Sequence, residues 1–180
     1  MLTRNLMYND AAFVKLSYEA TDSYLLADII ELDKECTALK SSKEIRQASQ
    51  KLGVRLLKIF TTEINISIFR DYEKAIEKTD ASGHYCIAFG LCANLLNIPL
   101  DEALLAFYYN AAVGMITNSV KLIPLGQLDG QSILFRIQRL LPSLVQQTLE
   151  LKRDKVGICN QGLEIRCMQH ERLYSRLYMS

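Results

Sequence analysis

The segment SSKEIRQASQKLGVRLLKIF, residues 41–60, decides the fold class because it reads as one amphipathic helix. Ser41 and Glu44 have the spacing of a capping box, in which the hydroxyl accepts a bond from a backbone N–H and the carboxylate reaches back to another. Apolar side chains then recur at helical spacing: Ile45, Ala48, Leu52, Leu56 and Ile59. Cations occupy much of the remaining surface: Arg46, Lys51, Arg55 and Lys58. We therefore expect a helix whose apolar face packs inward.

Helical patterns continue on both sides of this segment, and no run shows the alternation of a strand. The upstream helices are predicted at 4–20 and 23–39, and the downstream ones at 66–79, 84–97, 101–123, 130–141 and 142–152. Pro142 is placed as a first-turn residue of the last of these. From Arg153 the periodicity weakens. The sequence predicts one all-α, single-domain helical bundle over residues 1–152 and a C-terminal tail over residues 153–180.

Composition narrows the class of protein. The 180 residues are 49% hydrophobic with a net charge of +1, so we expect neither nucleic acid nor an acidic membrane as a partner. Two uncharged runs are shorter than the about 20 apolar residues of a membrane helix, and the N-terminus does not read as a signal peptide. Five cysteines at irregular spacing predict reduced thiols and a cytoplasmic protein, with Cys86 and Cys92 in the core.

Signatures of catalysis are missing from the sequence. It contains no G-x-x-x-x-G-K-[ST] or G-x-G-x-x-G loop for nucleotides and no G-x-S-x-G elbow for acyl transfer. A helical-bundle active site would need Glu-x-x-His pairs, which are absent as well. His84 follows Gly83 at a predicted helix start, where a capping or packing role is favoured. We expect a protein that is not an enzyme and has no resident cofactor.

A weak metal-binding pattern lies near the C-terminus. Cys167 and His170 are three residues apart, so they share a face if this segment is helical, and Cys159 is close in sequence. Sulfur and imidazole suit nickel, copper or zinc. A closed zinc site needs four ligands, so these three residues predict transient metal contact at most.

The run Phe107, Tyr108 and Tyr109 predicts a side chain that leaves the core. Three consecutive residues of a helix cannot all point inward. At least one ring should therefore face outward or contact a partner.

The stretch VKLIPLGQLDGQSILFRIQ, residues 120–138, is richer in polar and special residues than a simple connection requires. As a helix–helix turn, Pro124 would end one helix, Gly126 and Gly130 would permit left-handed backbone, and Asp129 would cap the next helix. Such a turn does not explain Lys121, Gln127 and Gln131. A capped turn and a recognition loop both remain open on spacing alone.

The same stretch resembles the signature of the UreF family of urease accessory proteins, Asn-x-x-Lys-x-x-Pro-Leu-Gly-Gln-x-Asp-Gly-Gln. The matching residues are Asn118, Lys121, Pro124, Leu125, Gly126, Gln127, Asp129, Gly130 and Gln131. The segment at 43–59 is similar to a second family helix through Glu44, Arg46, Ser49, Leu52, Gly53, Arg55 and Leu56. The C-terminal MQHERLYSRLYMS resembles the family's C-terminus.

The resemblance implies an all-helical, non-enzymatic chaperone in nickel insertion. It would form a homodimer, bind the accessory protein UreD (UreH in some species), recruit the GTPase UreG, and deliver nickel to apo-urease. Hydrolysis of GTP would belong to UreG, which agrees with the missing phosphate loop here. Any nickel binding by this chain would be transient. The alternative is a cytosolic nickel-binding protein that uses Cys159, Cys167 and His170.

Residue roles follow from the same resemblance. The surface that faces UreG, or orders it, is expected at Lys121, Gln127, Asp129 and Gln131. The tail that binds UreD or UreH is expected at Tyr174, Arg176, Leu177 and Tyr178. Leu105 and Tyr109 lie on the nearly all-apolar helix expected to form the dimer contact.

The start of the chain departs from the family. Members usually open with a segment like Pro-x-Gly-x-Phe/Tyr-x-x-Ser-x-Gly-Leu-Glu, and nothing here matches it. We therefore expect a fragment, an alternative start or a truncated gene, with part of the partner surface in the unmatched segment.

Overall fold

The computed structural model describes residues 1–23, 25–158 and 161–174. Within them a π-helix, Leu2–Ala11, runs directly into the first α-helix, and a 3-10 turn, Arg153–Lys155, precedes the last. The α-helices are α1 Ala12–Thr21, α2 Leu26–Leu39, α3 Lys43–Glu63, α4 Ser67–Glu77, α5 Tyr85–Leu95, α6 Leu100–Leu122, α7 Gln127–Gln138, α8 Leu141–Leu149 and α9 Gln161–His170. The described residues contain no strand, so the predicted all-α class is confirmed.

The core forms where α1 crosses α5, with α3 on the far side of α5. A Cβ on Gly90 of α5 would lie 2.1 Å from Ser17 Oγ of α1, so the two helices approach as closely as a glycine allows. Phe13, Phe69 and Tyr108 are among the largest side chains enclosed there. The expected core positions of Cys86 and Cys92 are confirmed, since both are buried.

Asp33 is a fully buried carboxylate that organises the connection between α4 and α5. It accepts hydrogen bonds from the Tyr72 hydroxyl at 2.9 Å, from the backbone N–H of His84 at 2.9 Å, and from the N–H groups of Ser82 and Gly83. A buried carboxylate is tolerated when donors surround it in this way. Burial and the adjacent carboxylate raise the pKa of Tyr72, which keeps its phenol protonated as the donor.

His84 has the packing role expected of it. The ring is fully buried, with Nδ1 3.1 Å from Ser49 Oγ and Nε2 2.9 Å from Thr37 Oγ1. Burial lowers its pKa to about 4, so the imidazole is neutral at physiological pH. It therefore joins α2 and α3 to the start of α5.

The inward face of α3 differs from the predicted one. The buried residues are Ser49, Gly53 and Leu57, whereas Leu52 and Ile59 are 51% and 60% exposed. The reason is steric, because a Cβ at Gly53 would lie 2.1 Å from the carbonyl oxygen of Gly83. The face of α3 that carries Ser49 and Gly53 therefore packs against the start of α5, and much of the predicted apolar stripe remains exposed.

The predicted capping box of Ser41 and Glu44 was wrong as well. The N-cap of α3 is Ser42, and it makes no side-chain capping bond within its own helix. Instead the Ser42 hydroxyl and the Glu44 backbone N–H donate to the Glu171 carboxylate at 3.2 and 3.3 Å. A carboxylate more than a hundred residues away in sequence thus caps this helix.

The segment after α8 packs against the bundle. Arg153 makes a two-pronged ion pair with Glu35 of α2, and the Gly157 N–H donates to the Tyr8 carbonyl at 2.8 Å. Gly157 has φ +89°, which a glycine adopts without strain. The division of the chain at residue 152 stays a prediction.

Candidate partner-binding surfaces

The α6–α7 hairpin extends beyond the core toward its turn. All buried residues of α6 lie between Ala103 and Ala112, and α7 buries only Gly130 and Leu134. In the distal half of α6, Ile116 and Val120 lie against Gly130 of α7. The hairpin therefore presents the turn at residues 123–126 away from the core.

Asp129 caps the start of α7 from the third position of the helix, whereas the sequence suggested it as the cap residue of a helix that begins at Gly130. The Asp129 carboxylate accepts the Gly126 N–H at 3.0 Å, and α6 ends two residues before Pro124. The expected left-handed glycines were wrong: Gly126 has φ −72°, and Gly130 lies within α7. A Cβ on Gly130 would lie 2.8 Å from Val120 Cγ2, so this glycine serves close packing of α7 on α6.

Exposed signature side chains and exposed apolar side chains occur together at the tip of the hairpin. Lys121, Gln127 and Gln131 are exposed, and the last two share a face of α7 because they are four residues apart. Three apolar residues at the tip are also strongly exposed: Leu122 at 54%, Ile123 at 52% and Leu128 at 85%. Apolar side chains within a polar rim are the usual composition of a protein interface.

Farther down α7, Phe135 is 60% exposed beneath Arg139, whose guanidinium lies 5.2 Å from the ring centroid. The apolar surface of the hairpin therefore continues beyond the turn.

The outer side of α6 carries the residues assigned to dimer contact. Leu105 and Tyr109 are 41% and 40% exposed and lie one turn apart. The expectation that one ring of the aromatic run points outward is confirmed, since Phe107 and Tyr108 are buried and Tyr109 is not. Their use in a dimer stays a prediction.

The assigned tail lies mostly outside the described residues. Arg176, Leu177 and Tyr178 are among those not described, whereas Tyr174 is fully exposed. The helix before them is attached to α3, because His170 Nδ1 is 2.7 Å from a carboxylate oxygen of Glu44. Together with the Glu171 cap, this contact ties the start of the assigned tail to the bundle.

The weak metal pattern gains no further ligands in the part of the chain that is described. Cys159 lies outside it, and the described residues hold no cluster of three or more His, Cys, Asp or Glu suited to a metal ion. Burial, followed by the nearby carboxylate of Glu164, raises the pKa of the Cys167 thiol. A raised thiol pKa disfavours the thiolate that binds metals.

Sequence reasoning missed the outer face of α3. Leu52 and Ile59 were assigned to the core, but they lie outside it beside Lys51, Arg55 and Lys58. The available signal was the charge distribution, since residues 45–62 contain four cations and no acid.

Across the ranges described, no helix combines the length and the apolar character needed to cross a membrane.

Comparison with known proteins gives one family. The sequence model of UreF matches residues 1–138, which include the signature turn. The urease accessory protein UreF of Actinobacillus pleuropneumoniae serotype 3 (strain JL03) is 43% identical over 99% of this chain and 79% of that protein. The UreF of Haemophilus influenzae (strain PittGG) is 42% identical over 99% and 76%. The UreF of Bacillus sp. (strain TB-90) is 32% identical over 99% and 79%.

Proposed function

The chain belongs to the UreF family of urease accessory proteins, and from that membership we propose that it is a non-enzymatic adaptor in urease maturation. It bridges UreD (or UreH) and the GTPase UreG while nickel is inserted into apo-urease in the cytoplasm. Nickel is cargo in this process, passing through the assembly with transient contact here at most. The chain acts as a homodimer through the α6 face that carries Leu105 and Tyr109.

The observation that carries the proposal is the placement of the family signature on the α6–α7 hairpin. Asp129 fixes the turn through the Gly126 N–H, while Lys121, Gln127 and Gln131 are exposed on the two helices that flank it, as is Leu128. A rigid turn that presents polar and apolar side chains together supports recognition of a protein surface. We assign this tip to UreG.

The test of the tip is size-exclusion chromatography with light scattering on the chain alone and mixed with UreD and UreG. We expect a complex that contains all three proteins. Gln127→Ala/Gln131→Ala should lose UreG and keep UreD. The matched control is Gln146→Ala/Gln147→Ala on α8, two exposed glutamines outside the tip, which should keep both. If the tip variant still binds both UreD and UreG, the assignment is rejected.

The tail assignment has its own test. Arg176→Ala should weaken UreD binding, because a guanidinium can form two bonds to one carboxylate. Arg172→Ala is the control, since Arg172 is exposed and lies just before the assigned residues. Equal UreD affinity of the Arg176 variant and the parent would show that the tail assignment is wrong.

A further inference from the structure

We propose that the outer face of α3, with the groove beside it, docks an acidic helical segment of a partner protein. The α3 docking face comprises Ala48, Leu52, Ile59, Lys51, Arg55 and Lys58. This inference deepens the adaptor function by adding a surface for another protein besides the tip and the tail. It rests on that function for the choice of partners. It is carried by exposure, groove shape and charge.

The apolar stripe of α3 is exposed. With 100° per residue, Ala48, Leu52 and Ile59 fall within roughly 40° of one another around the axis of α3. Leu52 and Ile59 are 51% and 60% exposed. The structure gives α3 another inward face, so this stripe has no role in the core.

A groove lies next to this stripe. Beside the stripe, a groove of about 330 Å³ runs between α3 and α6. Its walls include Ala48 and Leu52 on one side and Phe107 and Ala111 on the other, with Leu6 also lining it. Such a concave apolar groove admits side chains projecting from a helix, as in helix-in-groove recognition. A flat bilayer cannot enter it.

Charge identifies the occupant. Lys51, Arg55 and Lys58 fall within roughly 60° of one another around α3, next to the apolar stripe. All three are exposed, and none forms an ion pair within the described residues. Residues 45–62 contain no acid, so this stretch of α3 is positive. Asp10, which lines the groove, is paired with Lys40 at 2.7 Å. A helix with apolar side chains on one edge and carboxylates at one-turn spacing on the other complements this stretch.

Nucleic acid fits the face less well. Three cations along about 10 Å of helix neutralise few phosphates, and the chain as a whole has a net charge of only +1. The lining of the groove is mostly apolar, and its one lysine, Lys40, is already paired with Asp10, so it offers a phosphate backbone few partners. An acidic protein segment uses both the cations and the groove.

The experiment measures the affinity of UreD, UreG and apo-urease, one at a time, for the parent and two charge-reversed variants. Arg55→Glu/Lys58→Glu alters the α3 docking face. The control, Arg70→Glu/Lys78→Glu, makes the same change of net charge at exposed cations near α4 that form no ion pair within the described residues. Thermal unfolding verifies that both variants remain folded.

We expect one of the three proteins to bind Arg55→Glu/Lys58→Glu at least about tenfold more weakly than the parent, with a reduced dependence on salt. The control variant should stay within about twofold. Leu52→Asn should weaken the same partner, because the contact is partly apolar. Retained affinity for all three proteins, or equal loss in the control, would overturn the inference while leaving the adaptor function intact.

If the parent binds none of the three proteins, the adaptor proposal fails, and a synthetic probe tests the face by itself. The probe is an amphipathic helical peptide with leucines on one edge and glutamates on the other, and its control has lysines in place of the glutamates. Binding of the glutamate peptide that Arg55→Glu/Lys58→Glu abolishes would uphold the docking face, and absence of binding would reject it.

Other ligands of the α3 docking face would give different results. Leu52-dependent self-association in light scattering would assign the face to a second copy of this chain. Arg55-dependent binding to vesicles of phosphatidylglycerol and phosphatidylcholine, or to duplex DNA, would assign it to those anions. Each of these results would overturn the proposal if Arg55→Glu/Lys58→Glu still binds UreD, UreG and apo-urease as the parent does.

Discussion

Replacing Asp33 with alanine removes the acceptor that holds the connection between α4 and α5. Four donors lose their partner, and two of them, the Tyr72 hydroxyl and the His84 N–H, belong to fully buried residues. An unsatisfied buried donor costs about 1–3 kcal/mol, so these two cost about 2–6 kcal/mol. Relief of the desolvation of the buried carboxylate offsets part of this. We therefore expect a loss of about 3 kcal/mol in the free energy of unfolding.

In a chain of this size, about 3 kcal/mol lowers Tm by about 6–12 °C. Circular dichroism at the helical band measures the shift, and amide hydrogen exchange should show faster exchange at His84. The control is Glu31→Ala, an exposed acid on the same helix, which should change stability by less than about 0.5 kcal/mol. A Tm for Asp33→Ala equal to that of the control would refute the reasoning that this carboxylate secures the connection.

Three further predictions concern stability and thiol accessibility. Gly53→Ala should destabilise the chain by about 1–3 kcal/mol or more in thermal unfolding, because its Cβ would clash with the Gly83 carbonyl. The control Gly114→Ala, with nothing within 4 Å of a Cβ, should instead stabilise the chain by up to about 1 kcal/mol. Equal effects of the two substitutions would contradict this. His84 stays neutral in the folded chain but takes up a proton below pH 6.5 in the unfolded chain, so up to about 3 kcal/mol of stability present above pH 6.5 is lost as pH falls to about 4. His84→Gln should flatten this dependence of the unfolding free energy on pH, measured by denaturant titration. An unchanged dependence would exclude the histidine as its source. Cys36, Cys86 and Cys92 should resist alkylation until urea unfolds the chain, because all three are buried, whereas native-state labelling detected by mass spectrometry would argue against that packing.

Local signals were sufficient for most of the helices, but not for α9, Gln161–His170, which lies within the predicted tail. The segment predicted at 41–60 forms α3 over Lys43–Glu63, and Pro142 sits in the first turn of α8 as expected. Helix formation depends on neighbours three and four residues apart, and these are visible in any short window of sequence. The fold class therefore followed from the sequence before any tertiary contact was known.

Long-range contacts decided the features that the sequence did not predict. Glu171 caps α3 across 127 positions of sequence from Glu44, so no capping pattern near Ser42 could reveal it. Gly130 is glycine because Val120 lies against it, not because the backbone turns there. In both cases the cause is a residue outside the element itself, which a local pattern does not contain.

The candidate surfaces were only partly predictable because periodicity alone cannot tell a core face from an interface face. Leu52 and Leu57 are both leucines of α3, yet Leu52 is 51% exposed and Leu57 only 1%. What separates them is Gly53, whose close approach to Gly83 rotates α3 so that the face with Ser49 and Gly53 points inward. The family-like helix thus combines two sets of residues, with Ser49 and Gly53 packing against α5 and Leu52 and Arg55 facing outward. Such a division within one short motif becomes visible only when the contacts of each residue are known.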